Sequence, residues 1–197
     1  MLKDPLTLLG ILDRLANLLR ADLRRVGSSF GLQAVHLQAM IFLAQANRFS
    51  NTPQALAEYL GLTKGTVSQS LLLLDRRGLI ERYEDELDRR VVRLRLAAAG
   101  EELLEGAGLH DLWRSATRDV RATRIRSVVS ALRETMFLVQ ARAGGGNFGT
   151  CETCEHWERR SARVYHCAWY GERLSLAESR LLCRAHAPRA AYLSRER

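Results

Sequence analysis

Thr52-Pro53-Gln54-Ala55-Leu56-Ala57-Glu58-Tyr59-Leu60-Gly61-Leu62-Thr63-Lys64-Gly65-Thr66-Val67-Ser68-Gln69 reads as two short helices joined by a tight turn. Thr52 is an N-cap with Pro53 at the first helical position, and the helix they open runs through Leu60 and stops at Gly61. Thr63 caps a second helix, predicted from about Lys64 to Arg77, on which Val67, Leu71 and Leu74 trace a buried stripe until Gly78 ends it. Beyond Gly78, Leu79 to Tyr83 and Val91 to Leu96 read as strands, with the charged stretch Glu84 to Arg90 as the hairpin tip. Helix, turn, helix, hairpin is the order of a winged helix.

Turning Val67 and Leu71 inward sets Gly65, Ser68, Gln69 and Arg76 outward, with Lys64 and Thr66 on the exposed first turn. These residue types suit a DNA groove. Gln69 can pair with adenine, Ser68 or Thr66 with a base edge or phosphate, and Lys64 with phosphate, while Gly65 lets the backbone approach closely. The chain's formal net charge of +8 points to a polyanionic partner, and nearly all its positive charge is arginine, Lys3 and Lys64 being the lysines.

Upstream, Leu8, Leu12, Leu15, Leu19, Leu23 and Val26 fall on one stripe of a long helix ended by Gly27-Ser28-Ser29, and a second helix is predicted from about Gln33 to Ala46. Downstream, helices resume from Ala97, pause at Gly106-Ala107-Gly108, and continue with Leu109, Leu112, Trp113, Ala116 and Val120, then Ile125, Val128, Val129, Leu132, Met136 and Val139. The opening Met1-Leu2-Lys3-Asp4-Pro5 and the charges Asp13 and Arg14 fit neither a signal peptide nor a membrane span, so a cytoplasmic protein without a membrane partner is expected.

The segment from Thr52 to Gln69 closely resembles the helix-turn-helix of the MarR family. Leu74 to Arg82, Asp88-Arg89-Arg90, Leu94 to Leu96 and Gly100 are similar to that family's recognition-helix exit, wing and return to helix. The resemblance implies a mainly α fold with a small β-hairpin wing. Residues 1–30 would form an N-terminal dimerisation helix, 31–105 the winged helix-turn-helix, and 106–143 the C-terminal dimerisation helices. It further implies a homodimer acting on double-stranded DNA at a near-palindromic operator, as a transcription regulator of the repressor kind. At the wing it implies that Asp88 braces the hairpin and Arg90 enters the minor groove beside Arg89, although Glu84, Asp85 and Glu86 make this tip acidic. The family binds small aromatic effectors between its dimer helices and winged helix, and Phe30, His36 and Trp113 are candidates to line such a cleft, or simply core. Ala97 departs from the family's usual Thr, which weakens one helix cap, and Gly106 and Gly108 interrupt what is usually a long helix.

Residues 144–150 read as a Gly-rich linker to a Cys-rich tail over 151–197, which holds all four cysteines and three of the five histidines. Cys151-x2-Cys154, His166-Cys167 and Cys183-x2-His186 predict a small, metal-stabilised tail, because a segment with little core needs a ligand to hold it together. Two ligand sets are open: Cys151, Cys154, Cys167 and Cys183, or the two knuckles with His186 as the alternative ligand. The metal is equally open between Zn2+ and an iron–sulfur cluster, the latter implying a redox- or iron-sensing regulator, the former a structural site beside effector sensing. Trp157, Tyr165, Trp169 and Tyr170 are expected to form the tail's small core. A dithiol redox enzyme is the rival class, but Cys151-x2-Cys154 lacks the strand-helix-strand setting of such a motif, so the chain is not expected to be an enzyme. A second rival is a DNA-coating protein without sequence preference.

Overall fold

The computed structural model describes residues 5–109, 111–143, 147–161 and 164–193. Helix α1 (Pro5–Ser29) leads into α2 (Ala34–Gln45), then α3 (Pro53–Leu60) and α4 (Lys64–Arg76). The antiparallel hairpin β1 (Ile80–Glu84) and β2 (Val92–Leu96) follows, and then α5 (Ala98–Gly106), α6 (Asp111–Arg118) and α7 (Ala122–Ala143). The tail carries a three-stranded antiparallel sheet of β3 (Trp157–Arg159), β4 (Tyr165–Cys167) and β5 (Glu172–Leu174), and ends in α8 (Ala190–Leu193). No single described helix is long and apolar enough to cross a membrane.

Local chemistry sets the helix-turn-helix. The Thr52 hydroxyl accepts the Ala55 N–H at 3.1 Å, and the Thr63 hydroxyl accepts the Thr66 N–H at 3.2 Å, so each helix starts on a capped turn. Between them Gly61 closes α3 in the left-handed region, at φ +63°, where a side chain would be strained. Helix α4 ends at Arg76, with Arg77 in the C-cap position.

Helix α2 is the hub. His36, Leu37, Ala39, Met40, Phe42 and Leu43 are all buried, leaving it little solvent face, and α1, α3, α4, α5 and β2 all pack on it. Val67, Leu71 and Leu74 of α4 join this core with Ile80 and Leu94 of the hairpin, whose register opposes Ile80 to Leu96 and Arg82 to Leu94. By contrast, Leu6, Leu9, Ile11 and Leu18 of α1, and Val128, Val129 and Val139 of α7, are solvent-exposed.

The tail differs from the expected appendage on a linker. Gly144 to Gly146 lie outside the described residues, but Phe148 is buried in the main core, edge-on to Phe42 and Tyr59. Gly149 pairs with Cys183, and Leu182 forms a parallel bridge to Ala46 at the exit of α2. The tail is therefore docked on the winged helix. It also has a core of its own, in which Tyr165 and Leu174 pack with Cys151 and Cys167, and Trp157 stacks on Tyr165 with ring centroids 5.5 Å apart. Trp169 is not part of that core: it is 63% exposed and lies on His156.

At the start of α5, Ala97 has extended backbone but makes no side-chain cap, while a Cβ on Gly100 would overlap the Leu79 carbonyl. Opposite effects are predicted three residues apart. Ala97→Ser should stabilise by about 1 kcal/mol, and Gly100→Ala should destabilise by roughly 1–3 kcal/mol, both read from thermal melting.

Candidate nucleic-acid interface and cysteine cluster

Lys64, Gly65, Thr66, Ser68, Gln69 and Arg76 all lie on the exposed face of α4, opposite Val67, Ser70, Leu71 and Leu74. Among the described residues, Lys64, Gln69 and Arg76 hold no side-chain hydrogen bond or ion pair, so their polar groups face water. The Thr66 hydroxyl shares a hydrogen bond with that of Thr63 at 2.9 Å.

At the wing, Arg89 is exposed, and Arg90 folds onto Asp88, its Nε 3.0 Å and its terminal nitrogen 3.2 Å from the two carboxylate oxygens. Asp88 also accepts the Arg90 backbone N–H at 3.1 Å. The larger brace is Asp85. Its carboxylate accepts the backbone N–H groups of Leu87 and Asp88 at 2.9 and 3.0 Å, and the Arg93 guanidinium at 2.7 Å. These bonds, Arg93 foremost, hold the Asp85 carboxyl below its usual pKa. Asn51 completes the support, its side-chain amide donating to the Tyr83 hydroxyl at 3.0 Å and the Leu94 carbonyl at 2.9 Å. Asp85 and Asp88, two of the tip's acids, are thus each matched by an arginine. Of Asp85, Arg93, Asn51 and Tyr83, the sequence singles out Asp85 alone, and only as charge; an aspartate two and three residues before a turn's amides is the signal that marks it as a brace.

Phe30, His36 and Trp113 do not share a cavity. His36 lines an open groove of about 610 Å³ with Gln69, Arg76 and Arg77, whereas Phe30 packs on the main core and neither Phe30 nor Trp113 lines that groove. His36 Nδ1 accepts the Gln33 N–H at 3.0 Å, and burial, then the nearby Arg77 charge, lowers its pKa. A separate cavity of about 430 Å³ opens between α3, α7 and the tail, walled by Tyr59, Phe137 and Phe148 with Arg133 and Gln140 at hand.

Cys151, Cys154, Cys167 and Cys183 are all buried free thiols. Burial pushes Cys151 up to about 12, and Cys183, Cys154 and Cys167 are near enough to push it further in the same direction. Cys183 is raised by burial too, an effect that the Asn47 side chain and the Ala185 backbone N–H partly offset. Among the described residues, no three His, Cys, Asp or Glu side chains are arranged to hold a metal ion. The cysteines are neighbours rather than a formed cage. His186 is turned to other work: its Nε2 meets the Thr153 hydroxyl at 2.9 Å, and its ring stacks on Phe137 at 4.9 Å.

Residues 30–91 match the model of the MarR family. That stretch runs from the end of α1 to the wing. Transcriptional regulator PA3341 superposes with a TM-score of 0.60 at 21% identity, covering 67% of this chain and 97% of its own. CouR from Rhodococcus jostii RHA1, bound to p-coumaroyl-CoA, gives 0.55 at 19%, covering 68% and 94%. The MepR–DNA complex of S. aureus gives 0.51 at 19%, covering 64% and 93%. At such identities the likeness is one of fold, and the fold is the MarR-type winged helix. No curated protein matches the chain's sequence. The Cys151 thiol, raised by burial, is the opposite of the low-pKa cysteine that a dithiol enzyme needs.

Burial of His186 gives the stability of the chain a dependence on acid. Burial lowers its pKa to about 4, so the unfolded chain takes up a proton near the ordinary value of 6.5 while the folded one does not. Stability is then full above that value and lost as pH falls from 6.5 toward 4. Melting temperature against pH should fall through this window in the native chain, and more shallowly in His186→Gln.

Proposed function

We propose that this protein is a homodimeric, sequence-specific DNA-binding transcription regulator, acting as a repressor on a near-palindromic operator. The observation that carries the reading is the unengaged polar face of α4, with Lys64, Gln69 and Arg76 outward beside an arginine-bearing wing. Lys64, Gly65 and Thr66 meet phosphate at the N-terminal turn, Ser68 and Gln69 read base edges, and Arg76 holds the backbone. Arg89 and Arg90 reach the minor groove, with Asp88 positioning Arg90. MepR, similar in fold, has been crystallised with DNA. The exposed leucines of α1 and valines of α7 are a surface that a second copy would cover, and two copies would present two recognition helices to successive grooves.

The four cysteines are, in this reading, a metal centre for Zn2+ or an iron–sulfur cluster, the latter reporting redox or iron state. Their burial and their proximity support it. The engagement of His186 with Thr153 and Phe137 favours the four-cysteine set over His186 as ligand. A second reading, a small aromatic effector, is favoured by the cavity walled by Tyr59, Phe137 and Phe148, whose Arg133 suits a carboxylate. CouR, of the same fold, carries p-coumaroyl-CoA.

Two experiments test these assignments. On a selected DNA site, Gln69→Ala should cost roughly 1–3 kcal/mol at one base position and relax specificity there, whereas Lys64→Ala should weaken all sequences alike and lower the salt slope by about one. Equal loss on specific and random DNA for both variants would instead indicate a DNA-coating protein. For the metal, Cys167→Ser should abolish stoichiometric zinc or iron in anaerobically purified protein and His186→Gln should leave it. The reverse pattern would move the ligand set to the histidine.

A further inference from the structure

Helix α1 meets α2 at a bend of 100°, so the turn between them sets the direction of a 25-residue helix. That corner is stiff. The Leu32 N–H donates to the Gly27 carbonyl at 2.8 Å and the Gly31 N–H to the Ser28 carbonyl at 3.2 Å, with Gly31 in the left-handed region at φ +61°. Gly27 lies so close to the Leu32 carbonyl that a Cβ there would overlap it. The Gln33 N–H is held by His36 Nδ1, and Leu23, Val26 and Leu32 are buried in the main core.

Arg77 ties this corner to α4. It occupies the C-cap of that helix, and one terminal nitrogen of its guanidinium donates to the Phe30 carbonyl at 2.9 Å and the Gly31 carbonyl at 3.2 Å. Among the described residues, these are the hydrogen bonds that join the end of α4 to the α1–α2 turn. The last turn of α4 is also held by the wing, where Arg82 pairs with Asp75 at 3.2 Å. Phe30 and Gly31 follow the final residue of α1, where unpaired carbonyls make the helix end negative, and a guanidinium suits two of them at once. Arg77 is exposed, as are its two bonds, so water can take over both carbonyls when the guanidinium is removed. What is lost then is direction rather than the fold.

We infer that Arg77 is a positioning residue that fixes the angle between α1 and α4, and with it the spacing of the two half-sites that the dimer accepts on DNA. The inference rests on the homodimeric operator reading above, in which α1 carries exposed leucines for a second copy. At about 1.5 Å per residue α1 is about 37 Å long, so a tilt of about 10° at the corner moves its far end by about 6 Å, close to two base-pair steps. Each copy presents one α4. An unclamped corner therefore lets the two recognition helices span a range of separations, whereas the clamp holds them to one.

The test uses the full-length dimer and a DNA site selected with the wild-type protein, whose half-sites are then moved apart or together by one and two base pairs. Wild type should bind the sites altered by two base pairs about tenfold or more weakly than the selected spacing. Arg77→Ala should keep the half-site sequence preference and nearly the same melting temperature, while the spacing difference shrinks to about threefold or less. Arg77→Lys, which restores a cation on the carbonyls, should recover most of it. Arg77→Gln, shorter and uncharged, should fall between the two and stands in should Arg77→Ala not fold. A uniform loss at every spacing in Arg77→Ala, with the salt slope lowered by about one, would make Arg77 a phosphate contact and overturn the inference. An unchanged spacing profile, or a wild type that binds its half-sites alike at every spacing, would overturn the clamp alone. Wild type that selects no paired half-sites would overturn the operator reading, and the inference with it.

Discussion

The parallel bridge between Ala46 and Leu182 is the contact on which the rest of the arrangement depends. Helix α2 must end in a backbone that still needs partners, since its last carbonyls lie next to a buried core and cannot all reach water. The tail supplies them, with the Leu182 N–H on the Gln45 carbonyl and the Leu182 carbonyl taking the Asn47 N–H. Once residues 182–184 are fixed there, Gly149 pairs with Cys183, Phe148 enters the core beside Phe42, and the Arg184 guanidinium reaches Glu58 of α3. Two units far apart in sequence are thereby folded as one.

The winged helix was legible because its signals are local. Thr52, Pro53, Gly61 and Thr63 act within a turn of where they stand, and the stripe of Val67, Leu71 and Leu74 depends only on helical spacing. What escaped depends on contacts across the chain. Phe148 looks like linker until Phe42 and Tyr59 are brought beside it, and Asn47 has no local mark of its bond to Leu182. Aromatic content suggested four core residues in the tail. Trp169 follows the β4 strand and faces out, which no composition argument could foresee. The grouping of Phe30, His36 and Trp113 failed for the same reason, since each answers to different neighbours.

Charge tells a similar story. The acidic tip of the wing seemed at odds with a phosphate-facing role, yet Asp85 and Asp88 are each matched by an arginine, Arg93 and Arg90, and Glu81 by Arg95. These carboxylates act as acceptors that shape the hairpin, and they leave Arg89 at its end. An Arg-rich composition thus has two uses here: internal bracing, and the cationic surface turned toward a polyanion.

Amide hydrogen exchange on the full-length chain tests most directly whether tail and winged helix form one unit. The N–H groups of Asn47, Leu182 and Arg184 donate to partners across the junction, and that of Cys183 donates to Gly149 beside it. They should exchange slowly, with protection comparable to that of α2. Rapid exchange at 182–184 beside a protected α2 would show a tail that comes and goes, and would contradict the account.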